Sequence, residues 1–204
     1  MELITAINLR EKLLALTRLG YSGEEIVVLI DNLKELMQIK DELKQQIREH
    51  NLKLNVKIGV LVKNQQQIKQ AKKADLVVAD AKREFFENKG VDIIINPEHG
   101  RRKDFIHHRN SGLSQVSLNL CKPIKGSKKK PRKEKIILTS FKALLNSNNQ
   151  EELLGRMKQN AYFAKKYEVK YDVCSFADDV EGLRSKKDFE SLMRELKKRG
   201  KVNK

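Results

Sequence analysis

The residues best suited to chemistry lie together. Asn96-Pro97-Glu98-His99-Gly100-Arg101-Arg102-Lys103-Asp104-Phe105-Ile106-His107-His108-Arg109-Asn110-Ser111-Gly112 packs four cationic side chains around three of the four histidines of the chain. Arginine binds phosphate through a planar fork of N–H donors, and histidine adds a donor near neutral pH. Asn110 and Ser111 are helix-capping types, so this reading starts a helix there, its N–H groups aimed at an anion. A metal centre is the rival chemistry. Glu98, His99, Asp104, His107 and His108 are ligand types, yet the interleaved arginines put positive charge where a cation would sit.

A second run, Lys122 to Lys135, contains Lys128, Lys129, Lys130, Arg132 and Lys133 around Pro131. It suits contact with a phosphate backbone, which positions nucleic acid without reading its sequence. A third segment holds Asp178, Asp179, Arg184 and Lys186 ahead of a helix start. The two acids suit a turn or a divalent ion, and the two cations suit a second phosphate clamp. Cys174 falls in a predicted buried strand, where a thiol is a packing group.

Charge supports a polyanionic partner. The chain of 204 residues carries 43 Lys/Arg against 27 Asp/Glu, a net charge of +16. Residues 1–96 hold 16 against 14, and residues 97–204 hold 27 against 13. Nearly the whole excess is therefore in the second half, which makes a strong local field. A solubilising surface for a hot or salty habitat would mix the signs more evenly. Hydrophobic residues make up 39%, enough for one core. No apolar run approaches the length of a membrane span, so no membrane partner is expected. No secretory leader is expected at the N-terminus. Two cysteines make no disulfide framework, which fits a reducing, cytoplasmic setting.

The elements that must hold these residues alternate. Strand candidates are Leu3–Ile7, Glu25–Ile30, Leu54–Val62, Asp75–Ala79, Val91–Ile95, Lys135–Thr139 and Val169–Phe176. Most are continuous apolar runs, as in strands covered on both faces. Helical periods lie between them. Asn32 with Glu35, Asn64 with Gln67, Asn149 with Glu152 and Ser185 with Asp188 give four capping-box signals. A strand–helix order repeated about seven times means a parallel sheet with helical crossovers. No glycine-rich phosphate loop follows the first strand and no Walker A motif occurs, so the expected fold is an irregular (β/α) TIM-like barrel. One domain spans residues 1–200, with basic loops at 97–112 and 122–135 and a short tail at 201–204. The first loop then lies at the carboxyl end of the strands and the second at the amino end.

The second half also resembles a known family. Val91-Asp92-Ile93-Ile94-Ile95-Asn96-Pro97-Glu98, Arg102-Lys103-Asp104 and His107-His108-Arg109-Asn110-Ser111-Gly112-Leu113 look like archaeal ribonuclease P protein component 3. Glu152-Leu153-Leu154-Gly155-Arg156-Met157, Cys174-Ser175-Phe176-Ala177 and Leu183-Arg184-Ser185 carry the same resemblance, which is specific over about residues 75–197. It implies a seven-stranded barrel and a protein subunit of the ribonucleoprotein that removes 5′ leaders from precursor tRNA. It implies that the RNA is the catalyst and uses Mg²⁺, and that this chain binds no cofactor and has no catalytic residue. The implied partners are ribonuclease P RNA, protein component 2 and other protein subunits, with precursor tRNA as the substrate of the complex. By motif match, Arg102, His107, Arg109, Arg184 and Arg156 are the implied RNA contacts. Arg101, Lys103, His108 and Lys186 join them as neighbouring candidates. The lysine-rich stretch from Lys122 to Lys135 departs from the family pattern. Two other functions compete: a stand-alone metal-dependent phosphoesterase on the same barrel, and a general structured-RNA-binding protein.

Overall fold

The computed structural model describes residues 1–23, 25–98, 112–123 and 133–198. Seven strands form one parallel sheet in sequence order: β1 Glu2–Thr5, β2 Glu25–Ile30, β3 Asn55–Val62, β4 Leu76–Asp80, β5 Ile93–Ile95, β6 Ile136–Ser140 and β7 Tyr171–Cys174. Helices α1 Leu9–Arg18, α2 Leu36–Glu49, α3 Gln65–Ala71, α4 Arg83–Glu87, α5 Gln115–Cys121, α6 Phe141–Leu145, α7 Gln150–Lys166 and α8 Lys186–Lys197 alternate with them. The fold is an α/β TIM-like barrel, as the alternating pattern predicts.

Strand alternation divides the buried residues into two sets. Leu3, Val27, Leu29, Val78, Ile93, Ile95, Leu138 and Cys174 fill the interior. A larger set, including Ile4, Ile26, Val28, Ile58 and Val60, faces the helices. The interior leaves little room at Gly59, where a Cβ would lie 2.7 Å from Val27 Cγ1 and 3.0 Å from Val78 Cγ2. Glycine there makes room for side chains of the two flanking strands, β2 and β4.

Seven strands leave a seam between β1 and β7. A single parallel bridge, Ile4 to Ala177, crosses it. The Thr5 N–H donates to the Ala177 carbonyl at 3.2 Å. Lys12 of α1 is fully buried there. Its ammonium donates to Thr5 O and Oγ1 at 2.9 Å, Asp178 O at 3.0 Å and Ala177 O at 3.2 Å. Burial pushes the Lys12 amine down to about 8, against the pull of Asp178 and Asp179. Lower in the seam, Glu2 Oε1 accepts from the Ser175 N–H at 3.1 Å and from the Ser175 hydroxyl. Both polar residues sit among apolar neighbours, so their hydrogen bonds are what make burial tolerable.

Three strands, β1, β5 and β7, start or stop two residues inside their apolar runs. Phe176 has φ +54, which ends β7, and Glu168 has φ +54 before it. Ile7 is 63% exposed and lies in the connection to α1, where Asn8 turns with φ +50. Lys135 precedes β6 and is buried. Its ammonium donates to the Phe85 and Asn88 carbonyls at 2.7 and 2.5 Å, closing the C-terminal end of α4. Of the four expected capping boxes, Ser185–Asp188 is complete. The three asparagines cap a backbone N–H, but their partner side chains reach other atoms: the Asn32 and Asn149 amides and the Lys63 N–H.

Two stability predictions follow from the packed interior and the buried carboxyl. Gly59→Ala should destabilise the fold by about 1–3 kcal/mol through overpacking, read by urea unfolding. Burial raises the Glu2 carboxyl from its ordinary 4.5 to about 7, opposed by the bonds from Ser175. The folded state therefore holds this proton more tightly than the unfolded chain. The group's stabilisation is complete below pH 4.5 and is lost as pH rises through 7, a change of about 3 kcal/mol. Glu2→Gln should flatten the stability curve between pH 4.5 and 7 relative to wild type; parallel curves would contradict this.

Candidate nucleic-acid interface

The first basic loop leaves the carboxyl end of β5, and its two described ends meet. Gly112 has φ +106, and a Cβ there would fall 1.5 Å from the Pro97 carbonyl oxygen. Only glycine allows that approach and that backbone conformation together. The neck is fastened to the barrel by Glu98, which is 1% exposed. Thr139 Oγ1 of β6 donates to Glu98 Oε1 at 2.5 Å. Arg156 of α7 donates to the Glu98 carbonyl at 3.1 Å and to Glu152 Oε1 at 2.7 Å. The Glu98 carboxylate, a metal-ligand type by its chemistry, is thus part of the neck.

The residues carried by this loop, Arg101, Arg102, Lys103, His107, His108 and Arg109, lie outside the described residues, as do His99, Asp104, Asn110 and Ser111. The expected helix start at Asn110 and Ser111 is corrected. The N-cap of α5 is Ser114, with a full capping box to Ser117. The reason is steric. Gly112 must first clear Pro97, and Leu113 is buried, so the chain cannot turn into a helix earlier. The sequence signal was present in Ser114 and Ser117, but a Ser–Ser pair is weaker than Ser–Glu.

Of the second run, Lys128, Lys129, Lys130 and Arg132 also lie outside the described residues. Lys133 is exposed and stands 3.7 Å from Asp92 Oδ1. Its described ends, Lys122 after α5 and Lys133 before β6, lie at the amino end of the strands, opposite the neck.

Arg184 and Lys186 both follow β7. The Arg184 guanidinium donates to Glu181 O at 2.6 Å and Leu183 O at 2.7 Å, and lies 5.6 Å over the Phe141 ring. It folds its own loop while keeping donors to spare. Lys186 opens α8, 3.9 Å from Glu190 Oε1. Asp178 pairs with Lys142, and Asp179 Oδ1 accepts from the Gly182 N–H at 2.8 Å. The two acids therefore turn to different partners. Among the described residues no three His, Cys, Asp or Glu side chains stand together as metal ligands. Cys174 is fully buried in the barrel, and that burial pushes its thiol well up. It is a packed thiol.

Sequence reasoning missed Lys12, Glu2 and Lys135 as structural charges. Lys12 had a readable signal, since it shares the apolar helix face of Leu9, Leu13 and Leu16. Glu2 and Lys135 had none, because their partners are distant in sequence. No described helix is long and apolar enough to cross a membrane.

The fold defines a class first: a seven-stranded (β/α) TIM-like barrel. Among solved structures, the chain is similar to one in a cryo-EM structure of archaeal ribonuclease P with mature tRNA. The TM-score is 0.74 at 21% identity, covering 97% of this chain and 83% of that one. A phospho-2-dehydro-3-deoxyheptonate aldolase from Thermotoga maritima aligns at TM-score 0.39 and 10% identity, covering 97% of this chain and 68% of that one. No family model matches the sequence, and no curated protein matches it.

The neck makes a specific demand on one glycine. Gly112→Ala should destabilise the protein by about 1–3 kcal/mol, the scale of forced backbone strain. Gly155→Ala, in α7 with open space around it, should be neutral or gain up to about 1 kcal/mol. Urea unfolding of the two variants side by side checks the contrast.

Proposed function

We propose that this chain is component 3 of an archaeal-type ribonuclease P, the ribonucleoprotein that removes 5′ leaders from precursor tRNA. The observation that carries this reading is the likeness to a chain of archaeal ribonuclease P over 97% of the sequence, joined to the HHRNSGL segment, residues 107–113. In this reading the RNA is the catalyst and uses Mg²⁺, and the chain supplies no reacting group. It works with protein component 2 and other protein subunits in the cytoplasm.

The physical role follows from phosphate repulsion. An RNA active site forms only when crowded phosphates are neutralised, and each bound cationic side chain releases counterions in doing so. A rigid barrel holds its charges in place without paying for their ordering on binding. The neck fastened by Glu98, Thr139 and Arg156 fixes the two described ends of the segment that bears Arg101, Arg102, Lys103, His107, His108 and Arg109. Arg184 and Lys186 stand on a connection at the same end of the barrel. Arg156 acts in this reading through the neck, since both of its terminal nitrogens are engaged.

The test is precursor-tRNA cleavage at low Mg²⁺ by cognate ribonuclease P RNA and component 2, with and without this chain. The chain alone should cleave nothing, and its addition should stimulate cleavage strongly. Arg102→Ala with Arg109→Ala should reduce that stimulation at least tenfold. No stimulation by the intact chain, with an RNA active at high Mg²⁺, would sink the reading. Unchanged stimulation by the double variant would remove the loop assignment alone.

A further inference from the structure

In a parallel barrel every connection from helix to strand lies at the amino end, and every connection from strand to helix lies at the carboxyl end. Sorted this way, the described connections are unequal. Those at the amino end carry eight lysines against four Asp/Glu. Those at the carboxyl end, with α6 and the turn 33–35 included, carry five Lys/Arg against six Asp/Glu. The lysines concentrate before β4, β5 and β6, three neighbouring strands. Lys72 and Lys73 precede β4, Lys89 precedes β5, and Lys122 and Lys133 precede β6.

Side chains join these three connections into one strip. Lys72 passes over Gly90, its Cε only 3.2 Å from where a Cβ would be. Asp92 reaches across to Lys133. Two of the four acids at this end are held by backbone N–H groups, and Glu134 pairs with Lys170. Asp75 Oδ2 accepts from the Ile58 N–H at 2.9 Å, and Asp92 Oδ2 from the Val77 N–H at 3.0 Å. Lys72, Lys73 and Lys89 are exposed and make no ion pair among the described residues. Lys72 is the C-cap of α3 and Lys89 follows the C-cap of α4, so helix dipoles favour one cation at each end and leave Lys73, beside Lys72, as the excess.

We infer that the strip Lys72–Lys73–Lys89–Lys133 at the amino end of the barrel is a docking surface for the phosphate backbone of structured RNA. The inference rests on the proposed ribonuclease P reading for its choice of RNA over an acidic protein. The surface is separate from the carboxyl-end loop, so the protein grips RNA at both ends. Its width is about 10 Å, two strand spacings. A duplex presents one phosphate per ~3.4 Å of each strand, so the strip meets two or three phosphates and reads no sequence.

The experiment measures binding of the full chain to ribonuclease P RNA, and to an unrelated structured RNA of equal length, across a potassium chloride series. Lys72→Glu/Lys73→Glu/Lys89→Glu is compared with Lys44→Glu/Lys158→Glu/Arg194→Glu, which makes the same charge change on exposed helix faces of α2, α7 and α8. Thermal unfolding checks that both fold, and the Gln versions of the first set replace it if it does not. The amino-end variant should lose more than tenfold in affinity, and its salt slope should fall by about two to three. The helix-face variant should lose less than threefold. Equal losses in the two variants would mean a diffuse field and overturn the surface, as would an unchanged amino-end variant. Intact RNA binding with lost binding to component 2 would assign the strip to the protein partner and overturn it. If both RNAs bind wild type equally and both lose affinity in the amino-end variant, the surface stands and the ribonuclease P reading falls.

Discussion

The whole barrel depends on closing one gap. Six strand pairs are ordinary parallel ladders, but β1 and β7 share a single bridge. The missing backbone pairing is replaced by side chains: a buried ammonium above and a buried carboxyl below. An ammonium bonded to carbonyls is among the stronger contacts in a protein interior. Leaving those carbonyls without it would expose several unsatisfied acceptors at once. The connection after β7 is fixed by the same atoms, so ring closure and the shape of the carboxyl end are one event.

Much of this architecture was legible in the sequence. The parallel, alternating pattern was readable because β-branched runs at regular intervals have few other folded solutions. Strand ends were less readable. β7 stops at a left-handed backbone turn at Phe176, which no propensity announces. The short helices α4 and α6 were invisible because five residues give too little period. Asn110 and Ser111 drew attention as caps, whereas the constraint that places the helix start is the contact of Gly112 with Pro97. That contact spans fifteen residues and leaves no local mark.

Charge was legible in amount but not in arrangement. A sequence count cannot tell Lys135, buried against two carbonyls, from Lys133, which projects outward two positions earlier. It also cannot tell Arg184, folded onto its own loop, from Lys72 and Lys73, which meet solvent. Topology performs that sorting. Once the chain is wound as a barrel, each connection is assigned to an end, and a sequence that looks evenly basic through its second half becomes two unlike surfaces.

The neck at Pro97 and Gly112 has an evolutionary consequence. Two residues decide whether the chain returns to the barrel, and everything carried between them is exempt from that decision. Length and content in the span are therefore open to drift and to selection by a changing RNA, while the scaffold stays the same. The glycine and the buried acid answer to the scaffold, and the basic residues between them answer to the RNA.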